Sequence, residues 1–459
     1  MGGLTRDVVT SAATYAKDWL AFQHRYHRVP GTQAAVLLDD ELLLSEAYGL
    51  ADVDAGAPMT TDTLFRIASH SKTFTATAVM QLVEAGRLRL DDPLGAWVDF
   101  LGGEDAPPIA AVTVREALAH AGGVVRDGHA ADYWQLVGPF PDHDRLREIA
   151  LDQADVTPRN VRFKYSNIAY SLLGLVIGAA ADQTYHDVVT TGIVDRLGLR
   201  HTGPELDGSR IEEYACGYSA LEYAADRVRI DHVDTRAMAS ATGFFSTAED
   251  LCRYAAAHFL GDERLLSDDS KRVLQHEVWT IDGVDEGAYG LGFAVQTVGR
   301  RRLLGHSGGY PGHITRTVFD PTDRLAVSVL TNAIDGPAEE LAHGVVSIVD
   351  LAAAQEPDPA DGDLSRFEVR LANLWGVQDV VLLGGRLVVV SPASATVTAS
   401  ATLAVEDEST LRVVSGRGYG AVGETLRYTF DGDRVVSVSG PGGLTWWPLG
   451  DYVPDGRIR

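Results

Sequence analysis

The hydrophobic pattern changes period several times along the chain, and each change predicts a different element. Over residues 7–26 the apolar positions recur at helical spacing, and the run stops at Pro30-Gly31. Residues 33–38 and 42–48 then read as a strand pair around the acidic turn Asp39-Asp40. Helical spacing returns over 72–85, where nearly every residue is apolar or small, and Gly86 stands where a glycine ends a helix. The region from 88 to 286 reads as helices and long loops, including an apolar helix over 168–181. Strand patterns reappear at 290–298, 303–305, 316–319 and 325–330, and 337–354 reads as an amphipathic helix. Strands at both ends with helices between them imply an antiparallel sheet closed by distant segments, flanked by helices and carrying a helical insert.

The pattern shifts again near the C-terminus. Residues 356–363 are rich in Pro, Asp and Gly and almost free of apolar side chains, as a linker is. Beyond them, short β-branched runs alternate with turn residues, which predicts a separate all-β barrel or sandwich over 364–459. The expected division is therefore a catalytic domain over 1–355, a linker over 356–363 and a β domain over 364–459. The aromatic residues of the β domain, Trp375, Trp446 and Trp447, fit core or interdomain packing better than a substrate-facing edge.

Composition narrows the function. With 39 basic and 64 acidic residues the formal charge is −25, which disfavours nucleic acid and anionic membrane surfaces as partners. Two cysteines, Cys216 and Cys252, allow one disulfide or two buried thiols but no disulfide scaffold. The first thirty residues lack the apolar core of a secretory signal and no stretch reaches spanning length, so the expected location is the cytoplasm. Fourteen histidines include no HExxH or comparable ligand set, so neither a metal nor another cofactor is expected.

Three short segments carry candidate chemistry. Ser69 precedes Lys72 by three residues at the start of an apolar helix, which puts both side chains on one face. A serine hydroxyl needs a base to become a nucleophile, and a desolvated lysine amine can serve. Ser71 competes by type but has Phe74 where the lysine would stand. Tyr165-Ser166-Asn167 precedes the helix over 168–181; the phenol can carry protons if Lys72 and His306 lower its pKa, and the Asn167 amide can bind a substrate carbonyl and Lys72 together. Gly305-His306-Ser307-Gly308-Gly309 closes a strand, where a substrate could lie along the edge and the Gly309 N–H could join the Ser69 N–H as an oxyanion donor. Each segment alone is common in unrelated proteins.

Together, in this order and at these separations, they resemble the β-lactamase-related serine hydrolases: class C β-lactamases, DD-peptidases, D-aminopeptidases and carboxylesterases of one fold. The likeness extends to Leu90-Asp-Asp-Pro-Leu94, to the stretch from Val112 through His120 to Val124, to Ala241 through Leu251 and to Leu330-Thr-Asn332, about residues 10 to 350 in all. It implies a β-lactamase/transpeptidase-like α/β (α+β) fold, Ser69 as nucleophile, Lys72 and Tyr165 as general base and acid, and Asn167, His306, Ser307, Gly308 and Gly309 as substrate and oxyanion contacts. His120 is structural by its family position. The C-terminal domain resembles the lipocalin-like barrels attached to some relatives.

Many penicillin-targeted members carry lysine where this chain has His306. A histidine, with an ordinary pKa of about 6.5, is a poorer partner for a free carboxylate. The expected activity is therefore cleavage of an amide or ester of a small or peptide substrate, as in D-aminopeptidases and esterases. A penicillin-binding-protein-type thioesterase or acyltransferase, forming cyclic peptides, and a non-catalytic penicillin-binding sensor stay open beside it.

Overall fold

The computed structural model describes residues 4–281, 283, 287–357, 363–417 and 421–455. Of the segments expected above, residues 358–362 of the linker, 284–286 at the end of the helical region, and the outermost residues 1–3 and 456–459 lie outside the described residues. The chain divides into two compact units, Val29–Ala342 and a second made of Met1–Arg28 with His343–Arg459.

The unit Val29–Ala342 is built on a nine-stranded antiparallel sheet. Its first strand, Gly31–Leu38, is buried along its whole length and pairs on one side with Glu41–Asp52 and on the other with Leu325–Thr331, nearly three hundred residues later. Ala57–Pro58 forms the edge beside Glu41–Asp52, and on the other side the order continues through His313–Asp320, Arg301–Tyr310, Ala294–Val298, Gly287–Tyr289 and Trp279–Thr280. The sheet is thus closed by distant segments, and the helical layer is the chain between them.

At the centre of that layer runs the helix Ser71–Glu84, with buried residues on every side. A helix apolar all round belongs to a core rather than a surface. Its threonine hydroxyls are satisfied by main-chain carbonyls within the helix start and on a neighbouring element: Thr73 Oγ1 donates to the His70 carbonyl at 2.8 Å and Thr75 Oγ1 to the Ser240 carbonyl at 2.7 Å. Phe74 stacks between Phe244 and Tyr254, with ring centroids at 4.4 and 3.9 Å. The helix Asn167–Ala181 packs beside it, capped by Ser166, whose Oγ accepts from the Ala169 N–H at 2.9 Å.

Two sequence expectations change. The strand expected over 290–298 is broken: Gly287–Tyr289 and Ala294–Val298 are separate strands, and Gly292 between them, at φ 88°, lies where a Cβ would fall 2.3 Å from that of Ala76. The strand expected to end at Gly305 runs on from Arg301 to Tyr310, so the glycine-rich segment is strand and not its terminus. It stays extended because residues 304–310 pair with 313–319. Cys216 and Cys252 are both free and buried, with no disulfide between them.

In the second unit, eight antiparallel strands from Val369–Asn373 to Thr445–Pro448 close into a barrel. Its interior is filled by its own side chains, among them Leu371, Val380, Leu387, Leu403, Leu411, Leu426 and Val438. The N-terminal helix Arg6–His27 belongs to this unit. Tyr15 donates to Asp379 at 2.8 Å, Ser11 to the Leu382 carbonyl at 3.1 Å and Gln23 to the Pro392 carbonyl at 2.6 Å. Arg370 completes the buried junction with a two-pronged bond to Asp379, both contacts at 2.8 Å.

Candidate active site

Ser69 sits on a single 3-10 turn, Ala68–His70, that leads into the central helix. Three anchors fix the turn. Arg66, buried just before it, pairs with Glu205 at 2.6 Å and lies 4.6 Å from the Tyr310 ring centre. His70 donates through Nδ1 to the Ile67 carbonyl at 3.0 Å and accepts at Nε2 from Thr317 at 3.0 Å. Ser71 donates to the Ala68 carbonyl at 2.6 Å and accepts from the Phe244 N–H at 3.0 Å. Both residues beside Ser69 are therefore consumed in holding the turn, and only Ser69 is partly open to solvent.

The Ser69 hydroxyl has two neighbours able to take or give a proton. Lys72 Nζ is 3.1 Å away, one helical turn on, and the Tyr165 hydroxyl, from the loop before the helix Asn167–Ala181, is 2.8 Å away. Lys72 Nζ also donates to the Ala241 carbonyl at 2.8 Å and lies 4.8 Å from the Tyr165 ring centre. Lys72 is fully buried, with no carboxylate bonded to it among the described residues, and desolvation holds its pKa well below the ordinary lysine value, with the Asp127 charge opposing this. A neutral amine reverses the sense of the 3.1 Å contact, so that the Ser69 O–H donates to the Nζ lone pair.

Tyr165 moves against the sequence expectation that cations would lower its pKa. Burial raises it, and this outweighs the opposing hydrogen bond to Ser69 and the positive charge of Arg126. The phenol keeps its proton. The same low-dielectric surroundings disfavour both charged forms, leaving a basic amine and an acidic phenol on either side of one hydroxyl.

Asn167 is buried but does not bond Lys72. Its amide donates to Asp127 at 2.7 Å, while its Oδ1 has no hydrogen-bond partner among the described residues. His306 is also turned inward. Its Nδ1–H donates to the Ser307 carbonyl at 2.6 Å and its Nε2 accepts from Tyr289 at 3.0 Å. Burial, with Lys72 nearby, keeps the ring neutral, so it presents neither charge nor a free N–H. Ser307 and Gly309 are on the exposed side of this strand and Gly308 on the buried side. The neighbouring strand stops at Ala294 opposite Gly305, so the main chain of 306–310 is laddered on one side only. His120 lies beneath Tyr165, ring centres 4.2 Å apart, and its Nδ1 accepts from the Ser166 N–H at 3.1 Å.

Four participants had no sequence signal of their own. Asp127 organises the loop, taking Trp134 Nε1 at 3.1 Å besides Asn167. Arg126, Tyr289 and the Ala241 carbonyl reach the site only through folding, and of these Ala241 alone stood within a segment already singled out. Among the described residues, no group of three or more His, Cys, Asp or Glu could hold a metal ion, and no helix is long and apolar enough to cross a bilayer.

Gly308 shows how tightly the turn meets the strand. A Cβ there would lie 2.2 Å from the Ile67 carbonyl oxygen, two residues before Ser69, whereas at Gly309 the nearest atom is 3.8 Å away. Gly308→Ala is expected to lower kcat/KM by about a hundredfold, because displacing a reacting group by about 1 Å costs that much. Gly309→Ala should leave the thermal midpoint unchanged. Parallel ester assays and thermal melts check both, and full activity in Gly308→Ala would show that the turn tolerates the shift.

Comparison with known proteins places this geometry among relatives. Residues 19–349 match the Beta-lactamase family. Penicillin-binding protein 4* of Bacillus subtilis (strain 168) is 28% identical over 328 residues, which is 67% of this chain and 68% of that protein. Among solved structures, the octameric penicillin-binding protein homologue from Pyrococcus abyssi superposes with a TM-score of 0.65 at 22% identity, covering 94% of this chain and 99% of that one. The D-amino acid amidase from Ochrobactrum anthropi SV3 superposes with a TM-score of 0.64 at 24% identity, over 75% of this chain and all of that one.

Proposed function

The chain belongs to the Beta-lactamase family, and from that membership and the surroundings of Ser69 we propose that it is a serine hydrolase acting through an acyl-enzyme on an amide or ester. One observation carries the reading: a hydroxyl 3.1 Å from a buried lysine amine and 2.8 Å from a protonated phenol. Lys72 takes the Ser69 proton as the oxygen attacks the substrate carbonyl. The resulting oxyanion meets main-chain N–H groups of Ser69 and of the open strand edge at Gly309. Tyr165 gives its proton to the departing nitrogen or oxygen, and the Lys72 ammonium restores it. Water then attacks the acyl-serine, its proton passing to the same pair as Ser69 leaves.

Substrate preference follows from His306. A neutral ring with both nitrogens engaged has no charge for a carboxylate at the glycine-rich strand, which favours simple amides and esters over penicillin-type substrates. The likeness to a D-amino acid amidase makes D-amino acid amides the first amides to try. The purified protein is incubated with D-phenylalanine amide, p-nitrophenyl acetate and nitrocefin, and intact and peptide masses are recorded. We expect an acyl mass on the Ser69 peptide and faster turnover of the amide or ester than of nitrocefin. Acylation elsewhere, or none with any substrate, would refute the proposal.

Lys72 must be unprotonated to act, so activity is lost as pH falls through its lowered pKa. We expect kcat/KM for a neutral ester to rise through one ionisation below the ordinary lysine value of 10.5. It should show no descending limb before pH 10.0, because the Tyr165 pKa is raised above that ordinary value. A pH–rate profile checks both limbs, and a decline on approaching pH 10.0 would show the phenol titrating early.

A further inference from the structure

One flank of Ser69 carries positive charge that the reaction above does not use. Lys72, His70, His120 and His306 are all held toward their neutral forms by burial, so none supplies a permanent cation. Arg126 does. Its guanidinium carbon lies 5.4 Å from the Tyr165 ring centre, the side chain is 67% exposed, and its Nε faces Asp127 at 3.2 Å. Among the described residues no hydrogen bond holds its terminal nitrogens, which leaves their N–H donors at the mouth of the site. Asp127 takes Asn167 and Trp134 on Oδ1 and turns Oδ2 to the Arg126 Nε, so it offsets part of the guanidinium charge without occupying the terminal nitrogens.

Lys164 stands next to Tyr165 in the chain, tied to the same loop by its main-chain N–H, which donates to the His120 carbonyl at 2.8 Å. It is half-buried, and no carboxylate pairs with it among the described residues. Arg126 lies over the phenol, and the charges of Arg126 and Lys164 both reach the His120 ring beneath it, with the Asp127 carboxylate opposing them. On a chain of net charge −25 this is a locally cationic patch that would attract an anion.

We infer that Arg126, supported by Lys164, is a specificity-determining residue that receives an anionic group, carboxylate or phosphate, on the leaving portion of the substrate. This rests on Ser69 as nucleophile and Tyr165 as proton donor to the departing atom. The side of the substrate follows from that role: the cation lies over the phenol that serves the leaving group, on a different flank from the strand edge at 306–310. Arginine suits the task, since its planar fork matches either oxyanion with two parallel N–H donors.

Matched substrates test it. Phenylacetylglycyl esters of 3-hydroxybenzoic acid and of its methyl ester share one acyl group and differ by one carboxylate. Phenylacetylglycyl thioesters of 4′-phosphopantetheine and of pantetheine differ by one phosphate. The readout is the ratio of kcat/KM for the charged over the neutral member of each pair, which cancels any change common to both. We expect a ratio of about ten or more in the native protein for at least one pair, the pair identifying the anion, carried mainly in KM. Arg126→Gln should bring that ratio to about one, Arg126→Lys should keep part of it, and Lys164→Gln should lower it by a smaller factor. Added salt should lower it as well. Ratios near one in the native protein, or ratios unmoved by Arg126→Gln, would overturn the inference. Ser69→Ala separates the two claims: if it abolishes turnover of every ester while the native ratios are near one, only the anion site fails; if it leaves turnover intact, the underlying assignment of Ser69 fails.

Discussion

Exchanging Ser69 for alanine is expected to cut ester and amide turnover by a factor on the order of 10⁶, the scale on which removal of a serine nucleophile acts. The size follows from the absence of a substitute. Ser71, two residues on, is fully buried with its hydroxyl bonded to the Ala68 carbonyl and the Phe244 N–H. His70 is neutral and fastened at both ring nitrogens. Neither can reach a substrate carbonyl without dismantling the turn. The Lys72 amine is in reach but is buried behind the hydroxyl it serves. The fold should survive, because Ser69 is partly exposed and its two neighbours are packed by other contacts: the Lys72 amine on the Ala241 carbonyl, the Tyr165 ring on His120. Turnover of p-nitrophenyl acetate and of a D-amino acid amide, measured beside the thermal midpoint, decides the matter. A variant within tenfold of native, with an unchanged midpoint, would move the chemistry to another residue.

A second large effect is expected on stability. Acidification from pH 7 should destabilise the unit Val29–Ala342 well before its carboxylates titrate, because it buries histidines in neutral form. Burial lowers His70 and His258 each to about 3, and it pushes His120, His306 and His313 well below the ordinary value. Below an unfolded-state pKa of 6.5 the unfolded chain binds protons that the native one refuses. Stability therefore falls as pH drops from 6.5 toward 3, by up to about 1.4 kcal/mol per pH unit for each such histidine. His70 and His258 alone would remove roughly 5 kcal/mol two units below 6.5, comparable with the whole stability of many domains. Urea unfolding at a series of pH values measures the slope, and His258→Leu should reduce it by the share of one proton. A midpoint constant between pH 7 and 5 would mean that these rings take up protons without unfolding.

The elements around the site differ in how far the amino-acid pattern revealed them. The central helix was legible because its stretch is almost wholly apolar or small, a composition that admits only burial, and the structure buries it on every side. The opening strands were legible from two apolar runs around Asp39-Asp40, and the barrel from its β-branched runs. The true length of the strand Arg301–Tyr310 was not, since Gly305, Gly308 and Gly309 read as a terminus. Their extended form depends on pairing with a strand whose presence no local rule signals. The close fit of Gly308 against the Ile67 carbonyl is likewise visible only once the turn and the strand meet, because a missing side chain leaves no trace of what occupies its place.

Sequence alone determined which residue types stand at which spacing: a serine and a lysine one helical turn apart, a tyrosine before a helix cap, a histidine among glycines. Spacing of that kind is local, set by the geometry of a turn or a strand, and so it can be read along the chain. Folding decided everything that depends on burial and distance. It brought the Tyr165 phenol to 2.8 Å from Ser69 across 96 residues, turned both nitrogens of His306 inward, gave the Asn167 amide to Asp127 and set Arg126 over Tyr165. It also set the protonation of the pair that flanks the nucleophile, because the cost of a charge depends on the water and counter-charges the fold removes or supplies, and those are fixed only when the chain has closed around them.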